Sequence, residues 1–153
     1  MRLRVIWTGK TRDPHLRALA EGYLNRLKHF TRCEVVELRE STRSDSATGI
    51  GKDSKRISDA LQSASLVVLL DPEGSELSSQ QLAAELQRWE NSGIKEVSLI
   101  VGGPSGVSQE LHERADKRWS LTRLTLTHEI ARVLLLEQLY RAYTILHGLP
   151  YQK

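Results

Sequence analysis

The chain has 153 residues, of which 39% are hydrophobic and 27% charged. That length and balance suit one compact domain spanning 1–153, which buries roughly 70% of its unfolded surface without covalent staples. No run of about 18 apolar residues occurs, which argues against a membrane-spanning helix. The apolar patch in Met1–Trp7 is too short for a secretory signal core, so a cytoplasmic protein is expected. A single cysteine, Cys33, excludes an internal disulfide and a cysteine-built zinc site. The five histidines show no metal-binding spacing, and no metal is expected.

The net charge is only +3, but it is unevenly spread. Residues 1–56 carry 13 Lys and Arg against 7 Asp and Glu, whereas 57–111 carry 2 against 8. Such asymmetry suits either a basic face that meets phosphate or an ordinary mixed-charge surface.

Strand and helix patterns alternate along the chain. Leu3–Trp7 reads as a strand. Asp13 and Pro14 then suit the N-cap and first position of a helix carrying Leu16, Leu19, Tyr23, Leu24 and Leu27 at helical spacing. Val35–Leu38 is a second strand in which Cys33 is expected to be buried nearby. Residues 40–55 are polar, with Gly49 and Gly51, and are expected to form a loop, either a plain surface connection or an RNA-facing lid. A helix is expected over Ser54–Ala64.

Leu66–Leu70 is a continuous apolar run, as in a strand covered on both faces. Ser78 followed by Gln81 forms a capping-box pattern, and the ensuing helix carries Leu82, Leu86 and Trp89 and stops near Gly93. Val97–Val101 is another buried strand, followed by the turn Gly102-Gly103-Pro104-Ser105-Gly106. A short helix over Gln109–Ala115 and an extended segment over Trp119–Leu126 come next. The last helix, about His128–Leu146, is apolar nearly all round and needs burial on more than one side. In so small a domain, one side is expected to meet a second copy of the chain. The order predicts an α/β domain with a largely parallel sheet.

Ligands of such sheets bind beyond the carboxyl ends of the strands. Two of these ends carry unusual residues, Leu70-Asp71-Pro72-Glu73-Gly74 and Gly102–Gly106. A P-loop is excluded, because Gly51-Lys52 is followed by Asp53. The dinucleotide pattern Gly-x-Gly-x-x-Gly is absent from the strand turns, and there is no Gly-x-Ser-x-Gly nucleophile elbow. No convincing acid–base pair stands out. Transfer of an already activated methyl group is compatible with that, since alignment supplies most of the catalysis.

The C-terminal third is more specific. It combines Val101–Gly106, the run Trp119-Ser120-Leu121-Thr122-Arg123-Leu124-Thr125-Leu126-Thr127-His128, Arg132, Glu137–Ile145 and the ending Gly148-Leu149-Pro150-Tyr151. With Leu70-Asp71-x-x-Gly74 upstream, the whole chain resembles the large-subunit ribosomal RNA methyltransferase H family of the SPOUT class. The resemblance implies a mostly parallel sheet with helices on both faces and a C-terminal trefoil knot. It implies S-adenosylmethionine as methyl donor, a homodimer, and N3 of a pseudouridine in an intersubunit stem-loop of 23S rRNA as acceptor, met on the assembled 70S ribosome. Carried over by position, the cofactor contacts fall on Leu70, Gly102, Leu121, Thr122, Arg123, Leu124, Thr125 and Leu126. Arg132 is expected to face the RNA or the reacting base, where a cation would lower the N3 pKa. Tyr151 is a candidate for stacking on or bonding to the base, or for anchoring the tail. Arg141 and Lys153 are candidate RNA contacts. Gln152 stands where the family usually has histidine, and an amide cannot titrate near neutral pH. Two other readings fit the same residues: a non-catalytic RNA-binding module of this fold, and a knotted methyltransferase acting on transfer RNA.

Overall fold

The computed structural model describes residues 1–43, 45–63 and 65–151. Five strands form one sheet: β1 (Arg2–Thr8), β2 (Arg32–Leu38), β3 (Leu66–Glu76), β4 (Glu96–Val101) and β5 (Lys117–Ser120). Their order is β2-β1-β4-β3-β5, and every pairing is parallel.

Five helices connect and cover them: α1 (Pro14–Leu27), α2 (Ala47–Ala60), α3 (Ser79–Asn91), α4 (Gln109–Arg114) and α5 (His128–Leu146). Alternation along each strand divides the core between the two faces of the sheet. Leu3, Val5 and Trp7 of β1 and Val97, Leu99 and Val101 of β4 pack with Leu27 of α1, Leu86 of α3 and Leu135, Leu136 and Leu139 of α5. Ile6, Val67, Leu69 and Ile100 face the other way, against Ile57 of α2 and Leu111 of α4. The helices thus lie on both faces, as the alternating pattern implies.

The helix starts follow local chemistry. The Asp13 carboxylate accepts from the backbone N–H groups of His15 and Leu16, with Pro14 at the first helical position. The predicted capping box is formed reciprocally by Ser78 and Gln81. Thr127 caps α5 by accepting from Ile130 N–H.

One stretch differs from the sequence reading. The loop expected over 40–55 ends early, because α2 begins at Ala47. Ser46 caps it by accepting from Gly49 N–H. The buried Asp53 accepts from Ser41 N–H at 2.8 Å and pairs with Arg56 at 3.1 Å. Glycine at 49 is required by a close approach, since a Cβ there would lie 1.6 Å from the Arg43 carbonyl oxygen. Periodicity misses this start because the segment is held by polar contacts. The expected end of that helix, Ala64, lies outside the described residues.

β3 also continues past its apolar run. Leu70 and Ser75 both pair with Trp119, so Asp71–Gly74 are looped out between them. Gly74 permits this, because a Cβ would stand 2.6 Å from the Arg118 carbonyl.

Candidate active site

α3 returns from β3 on one face of the sheet, and α4 leaves β4 on the other. The connections after these neighbouring strands therefore diverge, and a crevice opens between them, which is where ligands of parallel sheets bind. It is a cleft of about 270 Å³, bounded by Leu69–Pro72 within β3, Val101–Pro104 at the end of β4, Gly106, Val107 and His112 on the way through α4, and Trp119–Thr122 at the end of β5. Leu124, Thr125, Leu126, His128 and Ala131 complete it.

Of the predicted cofactor contacts, Leu70, Gly102, Leu121, Thr122, Leu124, Thr125 and Leu126 all line this cleft. They come from three separate stretches of chain. The segment after β5 is shaped by its own hydroxyls: Ser120 Oγ donates to the Thr122 carbonyl at 2.8 Å, and Leu124 N–H donates to Thr122 Oγ1 at 3.1 Å. These bonds turn the chain so that leucines 121, 124 and 126 border one hollow. Arg123 is the exception. It points outward, 87% exposed, and reaches Glu76 at 3.8 Å.

Arg132 is placed otherwise than expected. It is 1% exposed and lies inside the molecule, not on an RNA-facing surface. Its guanidinium donates to the Thr8 carbonyl at 2.8 Å, the Gly9 carbonyl at 3.1 Å and Thr11 Oγ1 at 3.0 Å. The reason is topological: α5 packs over the carboxyl end of β1, and one turn into α5 is where a long donor side chain meets the carbonyls leaving that strand. A side chain so enclosed cannot touch a reacting base in this conformation.

Arg141 and Tyr151 are brought together, but not at the cleft. Arg141 pairs with Glu137 one turn back at 2.6 Å and lies over the Tyr151 ring at 4.7 Å. The Tyr151 phenol donates to the same Glu137 carboxylate at 3.0 Å, and its ring stands edge-on to Tyr140. Burial, then the hydrogen bonds with Tyr23 and Glu137, push the phenol pKa up. In this arrangement Tyr151 anchors the tail along α5. Gln152 and Lys153 lie outside the described residues.

Two further groups stand at the cleft, both within motifs of the sequence but given no cofactor role there. Asp71, whose side chain is only 10% exposed, accepts from Glu73 N–H at 3.0 Å and lies 3.7 Å from His112 and 3.5 Å from Arg118. His128 lines the cleft from the first residue of α5. Burial, then the charge of Arg132, lower its pKa, so the ring is neutral at pH 7. The adjoining acidic residues oppose that shift only in part. Among the described residues no cluster of metal-ligating side chains is found.

Comparison with known proteins agrees with this geometry. The family model described as "Predicted SPOUT methyltransferase" matches residues 1–152. The chain belongs to the SPOUT methyltransferase family. Curated relatives named ribosomal RNA large subunit methyltransferase H match over nearly the full length of both chains. The one from Gloeobacter violaceus is 43% identical over 151 residues, covering 99% of this chain and 98% of the relative. The one from Desulfotalea psychrophila is 37% identical over 153 residues, covering all of both. A crystal structure of a probable methyltransferase from Bordetella pertussis Tohama I shares the fold, with a TM-score of 0.59 at 14% identity, covering 93% of this chain and 94% of that one. Among the described residues no helix is long and apolar enough to cross a membrane.

Proposed function

We propose that this protein transfers a methyl group from S-adenosylmethionine to N3 of a pseudouridine in an intersubunit stem-loop of 23S ribosomal RNA. The observation that carries this reading is the cleft itself. In a SPOUT methyltransferase whose relatives are named for large-subunit ribosomal RNA, seven residues expected to hold the donor converge on one hollow at the switch between β3 and β4.

The residues fit such a donor. The cleft volume of about 270 Å³ approaches the small end of ligand pockets, roughly 300 Å³. Leu70, Leu121, Leu124 and Leu126 offer apolar walls to an adenine ring. Gly102 keeps the backbone accessible, and Thr122 and Thr125 add polar groups. When bound, the donor supplies a sulfonium-activated methyl group. The chain's own part is to hold, orient and exclude water, which lowers the barrier by removing translational and rotational freedom.

The same reading includes a trefoil knot formed by the chain after β4, a homodimer and a cytoplasmic setting on assembled 70S ribosomes. Support for the dimer comes from α5, where Ile130 is 43% exposed and the half-buried Val133 and Leu134 share its face. Leu124, at the cleft rim, is 75% exposed and would be covered by ligand or partner. Arg141, Tyr151 and Lys153 remain candidate contacts to RNA in this reading, and Tyr151 a candidate contact to the reacting base.

Tritium transfer from labelled S-adenosylmethionine to unmethylated 70S ribosomes, followed by nucleoside analysis, tests the reading. Labelled 3-methylpseudouridine is expected. Absence of transfer with donor binding intact would point to another RNA, such as transfer RNA. Absence of both would leave a non-catalytic RNA-binding module.

A further inference from the structure

The enclosed Arg132 has a consequence on the outside of the molecule. Its three hydrogen bonds all go to the turn that leaves β1, at Thr8, Gly9 and Thr11. Gly9 takes a positive φ of 80°, which reverses the chain there. Thr11 is pinned inward, 3% exposed. Its two neighbours, Lys10 and Arg12, are therefore both turned to solvent. The far side of the turn is fixed as well, because Asp13 N–H donates to Glu129 of α5 at 3.0 Å.

The turn stands beside the cleft. Asp13, the residue after Arg12, is bonded to Glu129, which follows the cleft-lining His128 directly in α5. Arg12 is 84% exposed and touches only the edge of Glu40, at 3.9 Å. Lys10 makes no ion pair among the described residues. Two cations are thus displayed on a rigid turn next to the site, with little of their charge committed internally.

We infer that Lys10 and Arg12 form a phosphate-binding lip that docks the RNA backbone beside the methyl-transfer cleft, with Arg132 as the residue that positions it. This inference rests on the RNA-methyltransferase reading above. Cations fixed in place lose less freedom on binding than cations on a mobile loop, and phosphate contacts set the register of a nucleic acid without reading its bases.

The test is a Lys10→Ala/Arg12→Ala double variant beside a Lys10→Arg/Arg12→Lys variant, assayed with unmethylated 70S ribosomes at several salt concentrations. Both positions are exposed, so both variants should keep the wild-type melting behaviour and donor affinity by calorimetry. The alanine variant should show a KM for ribosomes raised at least tenfold, with kcat little changed. Its dependence of log KM on log salt should be shallower by about 0.7–0.9 per lost contact. The charge-conserving variant should stay near wild type. If wild type methylates ribosomes and the alanine variant has the same KM and salt slope, the lip is refuted while the function stands. If wild type transfers no methyl group to any ribosomal RNA, the function fails and the lip with it.

Discussion

The guanidinium carbon of Arg132 lies 4.7 Å from the centre of the Trp7 ring, inside the molecule and over the carboxyl end of β1. A charge taken out of water is costly unless it is paired or well hydrogen-bonded. Here it is met by the ring face and by three oxygen acceptors, leaving only Nε of Arg132 without a partner. Arg132→Met should destabilise the fold by about 2–4 kcal/mol, because two carbonyls and a hydroxyl lose a charged donor. Arg132→Lys should recover only part, lacking the planar fork. Denaturant unfolding checks this, and near-wild-type midpoints for both variants would contradict it.

Two glycines should separate stability from binding. At Gly74 a Cβ would meet the Arg118 and Trp119 backbone at 2.6–2.8 Å, so Gly74→Ala must push β5 from β3. A loss of about 2 kcal/mol or more is expected. At Gly102 the nearest atom is Val107 Cγ1 at 3.2 Å, a side chain at the cleft wall that has room to shift. Gly102→Ala should change stability by less than about 1.5 kcal/mol, yet weaken donor binding on the order of tenfold, about 1.4 kcal/mol. Paired melting and calorimetry would show whether the two effects divide this way.

His128 should make stability depend on pH in one direction. Its folded pKa lies below the free value of 6.5, chiefly through burial and then through Arg132. Between those two values the unfolded chain binds more protons, so stability falls as pH drops below about 6.5 and levels off under the folded pKa. His128→Gln should lose less stability than wild type between pH 7 and pH 5. Identical pH profiles would show that the ring contributes nothing.

Cys33 is 6% exposed, and burial pushes its thiol pKa up to about 12. Thiolate is the reactive form, so the native protein should resist a thiol reagent at pH 8 and react stoichiometrically once unfolded. Rapid native labelling would mean that β2, an edge strand, opens readily.

Much of the architecture was legible from local pattern. The apolar runs at 66–70 and 97–101 announce strands covered on both faces, and the caps at Asp13 and Ser78 mark helix starts that the structure reproduces. The start of α2 was not legible, because Asp53 and Ser46 hold it through polar contacts that carry no period. The cofactor contacts expected from the combined motifs of a family had no periodic signal of their own, and seven of the eight residues line one cleft. The Arg123 side chain faces outward because neighbours in an irregular segment face different ways, which a contiguous motif cannot show.

The sequence by itself determined most of the strands and helices, though not where α2 begins or β3 ends, since alternation, helical spacing and capping act over a few neighbours. Its motifs together also pointed to the family. The order β2-β1-β4-β3-β5 was decided only in three dimensions. So was the meeting of residues 70, 102, 121, 122 and 124–126 at one crevice, and so was the enclosure of Arg132. Each depends on which distant segments share a face of the sheet, and that follows from burying the whole apolar surface at once.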